Sequence, residues 1–391
     1  MKTLLLAGAA ALMVVPVRAS DWTVNPWTGD LDSYSFTVGG EAHGTLFAAN
    51  LPKAHGFDQQ WATGLADLNL KIERDYDSGL TLALKSTFEL ARDKLSYDNY
   101  GGNLVQKVYG VMQTGLGRVE AGMTDGAGYA LSVTGPVVDN ATTLDNPNAT
   151  FYLDPATRHA FVNAFTLNSA VESSLNYAKF SYYTPRLFGV QVAFSYTPSE
   201  GREVVPFLND GPDVANRQKS IWEGALSYSE TFGRTSVGFY ASGAVGHGTR
   251  KTPGHAGLTE WGTGAEIDYN LTDDMKLAFG GAYRHANAYA FNVYDARTTD
   301  GTESAHLSST LTWGPWIFGG EYGRGTAGGG DFAPTLGVRG WQGSVGYVVN
   351  ANWQITAGWQ ELRYDRNDGT FYSGAPDITM SAAFLHLKLH V

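Results

Sequence analysis

Phe384-Leu385-His386-Leu387-Lys388-Leu389-His390-Val391 decides the fold of this chain. Leu385, Leu387, Leu389 and Val391 alternate with Phe384, His386, Lys388 and His390. In an extended strand, successive side chains leave on opposite faces, so this segment is apolar on one side and charged on the other. The same period of two recurs upstream. Leu68, Leu70 and Ile72 alternate with Asp67, Asn69, Lys71 and Glu73. Leu80, Leu82, Leu84 and Phe88 alternate with Thr81, Lys85, Thr87 and Glu89. Val190, Val192, Phe194 and Tyr196 alternate with Gln191, Ala193 and Ser195. Trp261, Ala265, Ile267 and Tyr269, then Leu307, Leu311 and Trp313, then Trp353, Ile355, Ala357 and Trp359 repeat the pattern. These are strand signals.

The gaps between the strands alternate in length. Tight turns fall near 77–79, 114–116, 185–189, 230–233, 271–274, 313–315 and 349–351, at turn-forming residues such as Asp77-Ser78-Gly79 and Thr272-Asp273-Asp274. Long gaps fall near 50–64, 92–103, 124–174, 198–219, 246–257, 287–303, 325–337 and 364–377. Seven turns and eight long loops make fifteen connections, hence sixteen strands. A soluble sandwich has no reason to alternate its loops in this way. A barrel in a membrane does, because its two rims face different compartments. The pattern predicts an all-β, 16-stranded antiparallel transmembrane β-barrel, with both chain ends on the short-turn side, the periplasm. On this reading Arg at Ile267 or Leu307 costs ~2–4 kcal/mol near the bilayer midplane, and Arg at Gly264 or Thr310 far less.

The N-terminus reads as an export signal. Lys2 supplies the positive start, Leu4 to Val15 the apolar stretch and Val17-Arg18-Ala19 the cleavage site. The expected division is residues 1–19 as signal peptide and 20–391 as a single barrel domain in the Gram-negative outer membrane. Losing Lys2 and Arg18 takes the net charge from −11 to −13. No stretch approaches the ~18 apolar residues of a membrane-spanning helix. There are 0 Cys, so an exported chain draws its stability from a source other than disulfides, and a closed sheet in lipid supplies one. Gly makes up 48 of 391 residues, well above the ~7% norm, which suits curved strands. Tyr183, Phe188, Phe232, Tyr269, Trp313, Trp316, Tyr347 and Trp353 gather at the tight-turn ends and read as an interfacial girdle. The acidic balance argues against nucleic acid as a partner.

One loop breaks scale. Residues 124–174 show no strand pattern, yet Tyr129, Val137, Val138, Phe151, Tyr152, Leu153, Phe161, Phe165 and Leu167 need burial. Structureless loops beyond ~15 residues are usually functional or disordered. A sixteen-strand lumen is wide enough to admit the loop and still conduct. The loop carries Asp125, Asp139, Asp145, Asp154 and Glu172. Cations stand on the polar parity of nearby strands, at Lys71, Lys85, Lys107, Arg118 and Lys179. An inward-folded acidic loop facing a basic wall would set a transverse field across a narrow aqueous slot.

Asn176-Tyr177-Ala178-Lys179-Phe180-Ser181-Tyr182-Tyr183-Thr184-Pro185-Arg186-Leu187-Phe188-Gly189-Val190-Gln191-Val192-Ala193-Phe194-Ser195-Tyr196-Thr197-Pro198 resembles the strand–turn–strand hairpin of Gram-negative general porins, especially alphaproteobacterial ones. Gly117-Arg118-Val119-Glu120-Ala121-Gly122-Met123-Thr124-Asp125 is similar to the strand leading into their constriction loop. The resemblance implies a homotrimer, an inward-folded third loop and passive diffusion of ions and small hydrophilic solutes. The chain lacks the Pro-Glu-Phe-Gly-Gly run of enterobacterial members, so its acidic residues are not carried over one by one.

The sequence points to no catalytic set, no cofactor and no metal site. His386 and His390 share a face with Lys388, a cation that opposes metal binding. With an acidic loop and negative net charge, weak cation preference is expected. Alternatives are a substrate-specific channel for sugars or phosphate, or an outer-membrane barrel enzyme.

Overall fold

Every period-two segment becomes a strand. The structure, a computed structural model, describes residues 26–31, 33–50, 60–92, 104–146, 167–199, 218–248, 257–287, 301–327, 336–366 and 377–391. The expected signal, residues 1–19, lies outside them. In chain order the strands are β1 (Trp27–Leu31), β2 (Tyr34–Asn50), β3 (Gln60–Asp75), β4 (Thr81–Arg92), β5 (Val105–Thr114) and β6 (Gly117–Met123). After the short helix α1 (Ala127–Ala130) come β7 (Ala178–Tyr183), β8 (Val190–Ser199), β9 (Gln218–Phe232), β10 (Thr235–Gly248), β11 (Thr259–Asn270) and β12 (Met275–Ala286). The last are β13 (Thr302–Trp313), β14 (Trp316–Ala327), β15 (Leu336–Val348), β16 (Trp353–Arg366) and β17 (Asp377–His390).

Neighbours in sequence pair antiparallel throughout, and β17 pairs with β2 from Ser381↔Asn50 to His390↔Glu41. The sixteen strands β2 to β17 therefore form a closed wall. Closure leaves no edge, which satisfies the backbone where lipid offers no hydrogen bonds. The strand β1 was not legible, because Trp27-Thr28-Gly29-Asp30-Leu31 carries no alternation. It pairs with Tyr34–Val38 on the edge of β2 that β17 has just left. Val391 exchanges backbone bonds of 2.9 and 2.8 Å with Gly40, so β1 continues the line of β17.

The seven tight turns stand where the sequence placed them. Gly79 (φ +78°) and Gly233 (φ +62°) take the left-handed backbone their turns require. The two parities separate as expected on β13, where Leu307 is 61% exposed while His306, Ser308 and Thr310 are buried. Ile267, Phe194 and Trp222 share the outward apolar face. At the short-turn rim Phe188, Phe232 and Trp313 are exposed, and the Trp316 and Tyr347 rings lie 4.7 Å apart. Tyr183 departs from the expected girdle. It is buried on the polar parity, with the Arg118 guanidinium 4.3 Å from its ring centre.

The inner face is not uniform around the barrel. On β3 and β4 the polar parity is partly open, from Asp67 to Glu73 and from Lys85 to Glu89. On β9 to β17 it is closed over, with Glu223, Glu260, Arg284, His306, Glu321, Gln342, Gln360 and His386 all buried.

Candidate functional site

The residues that bury the polar parity of β8 to β17 come from the interval between Met123 and Ala178. The described parts, 124–146 and 167–177, run along that arc strand by strand. At β8 and β9, Ser195 Oγ accepts the Ala127 N–H (3.1 Å) and Glu223 Oε2 accepts the Gly128 N–H (3.1 Å). The Tyr240 hydroxyl of β10 donates to Ser169 O (3.0 Å). On β12, Arg284 donates to Asn168 O (3.2 Å) and pairs with Glu260 of β11, and the Ser304 hydroxyl of β13 donates to the same carbonyl.

The firmest point lies at β13 to β15. Glu321 Oε2 accepts the Thr143 hydroxyl (2.5 Å) and the Leu144 N–H (3.0 Å), while Oε1 accepts from Gln342 (3.0 Å). His306 sits between the chain and this carboxylate, with Nδ1 3.1 Å from Thr134 O and Nε2 3.2 Å from Glu321 Oε2. Further on, Gln354 of β16 donates to Val138 O (2.8 Å), and His386 Nε2 of β17 stands 3.7 Å from Asp139 Oδ2.

Glycines on the same parity make room for this segment. A Cβ at Gly264 or Gly319 would overlap Val133 O or Val138 Cγ2. At Gly280 it would lie 2.7 Å from Gly135 Cα, and at Gly346 2.8 Å from Val138 Cγ1. The high glycine content thus clears the wall under the loop as well as curving strands. It also corrects one expectation, since Arg at Gly264 meets the loop backbone rather than open water.

The acidic residues expected on the loop fall into different roles. Asp139 is buried and accepts the Ala141 N–H (2.8 Å), a local turn bond. Asp145 Oδ1 accepts both the N–H (2.6 Å) and the hydroxyl (3.0 Å) of Ser169, tying the two limbs of the loop together. Burial pushes the Asp145 carboxyl upward, against the field of His306 and the Ser169 bonds. Burial likewise raises Glu172 to about 7, against a bond from Asn168 and the field of Arg284. Asp125 is paired with Lys107 (2.7 Å) at the first root of the loop. Asp154 lies outside the described residues. Of the apolar residues expected to need burial, Val138 and Leu167 are buried, whereas Tyr129 is 43% exposed.

The expected basic wall also divides. Lys71 and Lys85 stand directly opposite each other in the β3–β4 register, on the arc whose polar parity is partly open. Lys71 lies 3.1 Å from Glu73. Arg118 lies at the short-turn end, 3.1 Å from Glu120. Lys179 is buried and donates to the carbonyls of Thr124, Ser174 and Leu175. Its charge fastens the two roots of the loop instead of facing the slot. So Lys71 with Lys85, and Lys107 with Asp125, are brought together. Asp139 and Asp145 are held against the opposite arc.

Sequence reading missed Glu223, Glu260, Arg284, His306 and Glu321 as the residues that receive the loop. Their signal was present: each is a charged or titratable side chain on the inward parity of a strand, where small Ser, Thr, Gly and Ala side chains are frequent.

The sequence model of one family, described as Gram-negative porin, matches residues 4–370. No curated protein matches the chain. Among solved structures it is similar to the outer membrane channel DcaP of Acinetobacter baumannii, at TM-score 0.59 and 13% identity, covering 94% of this chain and 100% of that one. OmpF of Salmonella typhi, in complex with daunomycin, gives TM-score 0.58 and 13% identity, covering 93% and 100%. A trimer form of in-vitro folded OmpT of Vibrio cholerae gives TM-score 0.53 and 12% identity, covering 92% and 100%.

Proposed function

Because the chain belongs to the Gram-negative porin family and so forms a channel in the outer membrane, we propose that it is a passive diffusion porin whose water path follows the partly open arc at β3 and β4. The observation that carries this reading is the one-sided seating of residues 124–146 and 167–177 on β8 to β17. A segment held against one arc narrows the lumen toward the other, as expected for an inward-folded loop. The opposite arc then lines the slot with both signs, Lys71 and Lys85 beside Glu73 and Glu89. A mixed wall filters by size, charge and dipole rather than for one solute.

The proposed selectivity is a weak preference for cations. It rests on the net charge of −11, or −13 after signal removal, and no longer on the loop carboxylates. Asp139 is buried against the wall, and Asp145 binds Ser169 within the loop. The reading contains no chemical step, cofactor or metal. It includes export through a cleaved signal and assembly as a homotrimer, like the trimer form of the Vibrio cholerae protein. It also keeps the likeness of residues 176–198 to alphaproteobacterial members.

The experiment is single-channel recording in a planar bilayer with a salt gradient. Ohmic conductance with a reversal potential on the cation-selective side supports the proposal. Folded protein with zero conductance overturns the diffusion reading, and anion selectivity overturns the charge argument alone.

A further inference from the structure

The seam where β17 meets β2 carries a polar cluster that channel function does not use. His386 and Thr45 are direct cross-strand partners there, and His43 stands opposite Lys388, two residues nearer the short-turn rim. The loop adds a carboxylate to this seam, with Asp139 Oδ2 3.7 Å from His386 Nε2. His386, Thr45 and Asp139 are all buried.

Two atoms of the cluster lack a hydrogen bond. Asp139 Oδ1 accepts the Ala141 N–H, but Asp139 Oδ2 and His386 Nε2 are both buried and unbonded. Buried polar atoms without partners are costly, so two that face each other point to an occupant. Their separation of 3.7 Å is too long for a hydrogen bond and too short for a bridging water, which needs ~4.5 Å. It suits an ion, because two donors bound at ~2.0–2.1 Å to one tetrahedral zinc stand ~3.4 Å apart.

The surroundings suit imidazole ligation. His386 Nδ1 lies 2.7 Å from Thr45 Oγ1. Donation from Nδ1–H to that oxygen fixes the tautomer whose Nε2 lone pair is free for a metal. His43 offers a second imidazole, with its ring centre 5.2 Å from that of His386. Two imidazoles on one tetrahedral ion hold their ring centres ~5 Å apart. His43 Nδ1 lies 3.4 Å from Glu41 Oε1, the carboxylate contact that orients metal-binding histidines. Among the described residues no three donors already enclose a point. His386 and Asp139 are the fixed pair, and the partly exposed His43 turns its ring to complete the set as the ion enters.

The sequence sets Lys388 against a cation on this face. In the structure its ammonium is met by Glu41 Oε2 at 3.1 Å, which leaves the Asp139 charge for an ion. Two imidazoles and one carboxylate favour zinc over magnesium or calcium, which take oxygen ligands. Three protein ligands leave a fourth position for water.

We propose that His386, Asp139 and His43 form a zinc site at the closing seam of the barrel. The ion ties the loop to β17 and β2, the two strands that close the wall.

The test is calorimetric titration of untagged, detergent-folded protein with zinc chloride alone, near neutral pH. Wild type takes up one zinc per chain and releases it to a chelator. His386→Gln and Asp139→Asn, made singly, each bind more than about a hundredfold more weakly, and Thr45→Val, which removes only the outer contact, about tenfold more weakly. His390→Ala, at the exposed end of β17, binds as wild type does. No uptake by wild type overturns the proposal, and so does wild-type affinity in the His386→Gln and Asp139→Asn variants. Loss of binding in His390→Ala also overturns it, since the ion would then sit at the rim. If the variants do not fold, the visible spectrum of wild type loaded with cobalt(II) decides. The strong absorption of a four-coordinate ion supports the site, and the weak absorption of a six-coordinate one overturns it.

Discussion

Glu321 on β14 and Glu73 on β3 are both glutamates on the inward parity of a strand, yet they live differently. Glu321 is buried and bonded to Thr143, Leu144, His306 and Gln342. Glu73 is partly open and shares a 3.1 Å contact with Lys71. The difference comes from what lies over them. One arc of the wall is an interior, where an unmet charge is expensive; the other is a solvated surface, where charges are cheap and screened. In a porin the same alternating pattern therefore builds a loop seat on one side and a channel lining on the other.

The sharpest way to break this contrast is to remove Glu321. Glu321→Ala strands the Thr143 hydroxyl and the Leu144 N–H, and should cost ~3–5 kcal/mol. Thermal unfolding in detergent reads that loss, and single-channel traces should show new fluctuations. Glu73→Ala should stay within ~0.5 kcal/mol. Equal losses at the two positions would erase the distinction between the arcs.

A second comparison sets the inner seat against the lipid face. Ile267→Arg should cost ~2–4 kcal/mol through its exposure to hydrocarbon. Gly264→Arg should also destabilise, through collision with Val133 O, and Thr310→Arg tests a second buried position on the same inner face. Denaturant unfolding from liposomes measures all three. A neutral Gly264→Arg would place the loop off the wall.

The seat should also be sensitive to pH. The Glu172 pKa is raised from 4.5 to about 7 by burial. Its neutral form is the one the fold favours, so this contribution is fully present below pH 4.5 and is lost as pH rises through about 7. Glu172→Gln should flatten the stability profile over that window. A variant with the wild-type slope would assign the pH dependence elsewhere.

The smallest effect on stability belongs to the open arc. Lys71→Gln combined with Lys85→Gln should shift stability by no more than ~0.5 kcal/mol. It should still move the reversal potential toward stronger cation preference. An unchanged reversal potential would take the path away from β3 and β4.

The barrel was legible because its physics is local. Leu385 to Val391 states its own two faces, and Asp77-Ser78-Gly79 states its own turn. The strand β1 was not, since Trp27 to Leu31 is extended only because β2 has an edge left open beyond His390. The loop seat was illegible for a related reason. Nothing near Glu321 in sequence predicts Thr143, which is 178 residues away. Acidity of residues 124–174 was read as a field for solutes, but Asp145 spends its lone pairs on Ser169. The charge was visible and its partner was not. The glycine content was read as strand curvature, and only the structure shows the loop lying on Gly264, Gly280, Gly319 and Gly346.

The chain has 0 Cys, which permits the most direct test of a one-sided path. Single cysteines at Lys85 on the open arc and at Ser308 under the loop would be exposed to a charged, membrane-impermeant thiol reagent during single-channel recording. The account predicts rapid modification and a stepwise fall in conductance for Lys85→Cys, and an unreactive, unaltered channel for Ser308→Cys. Equal reactivity at the two positions, or block only through Ser308→Cys, would contradict it.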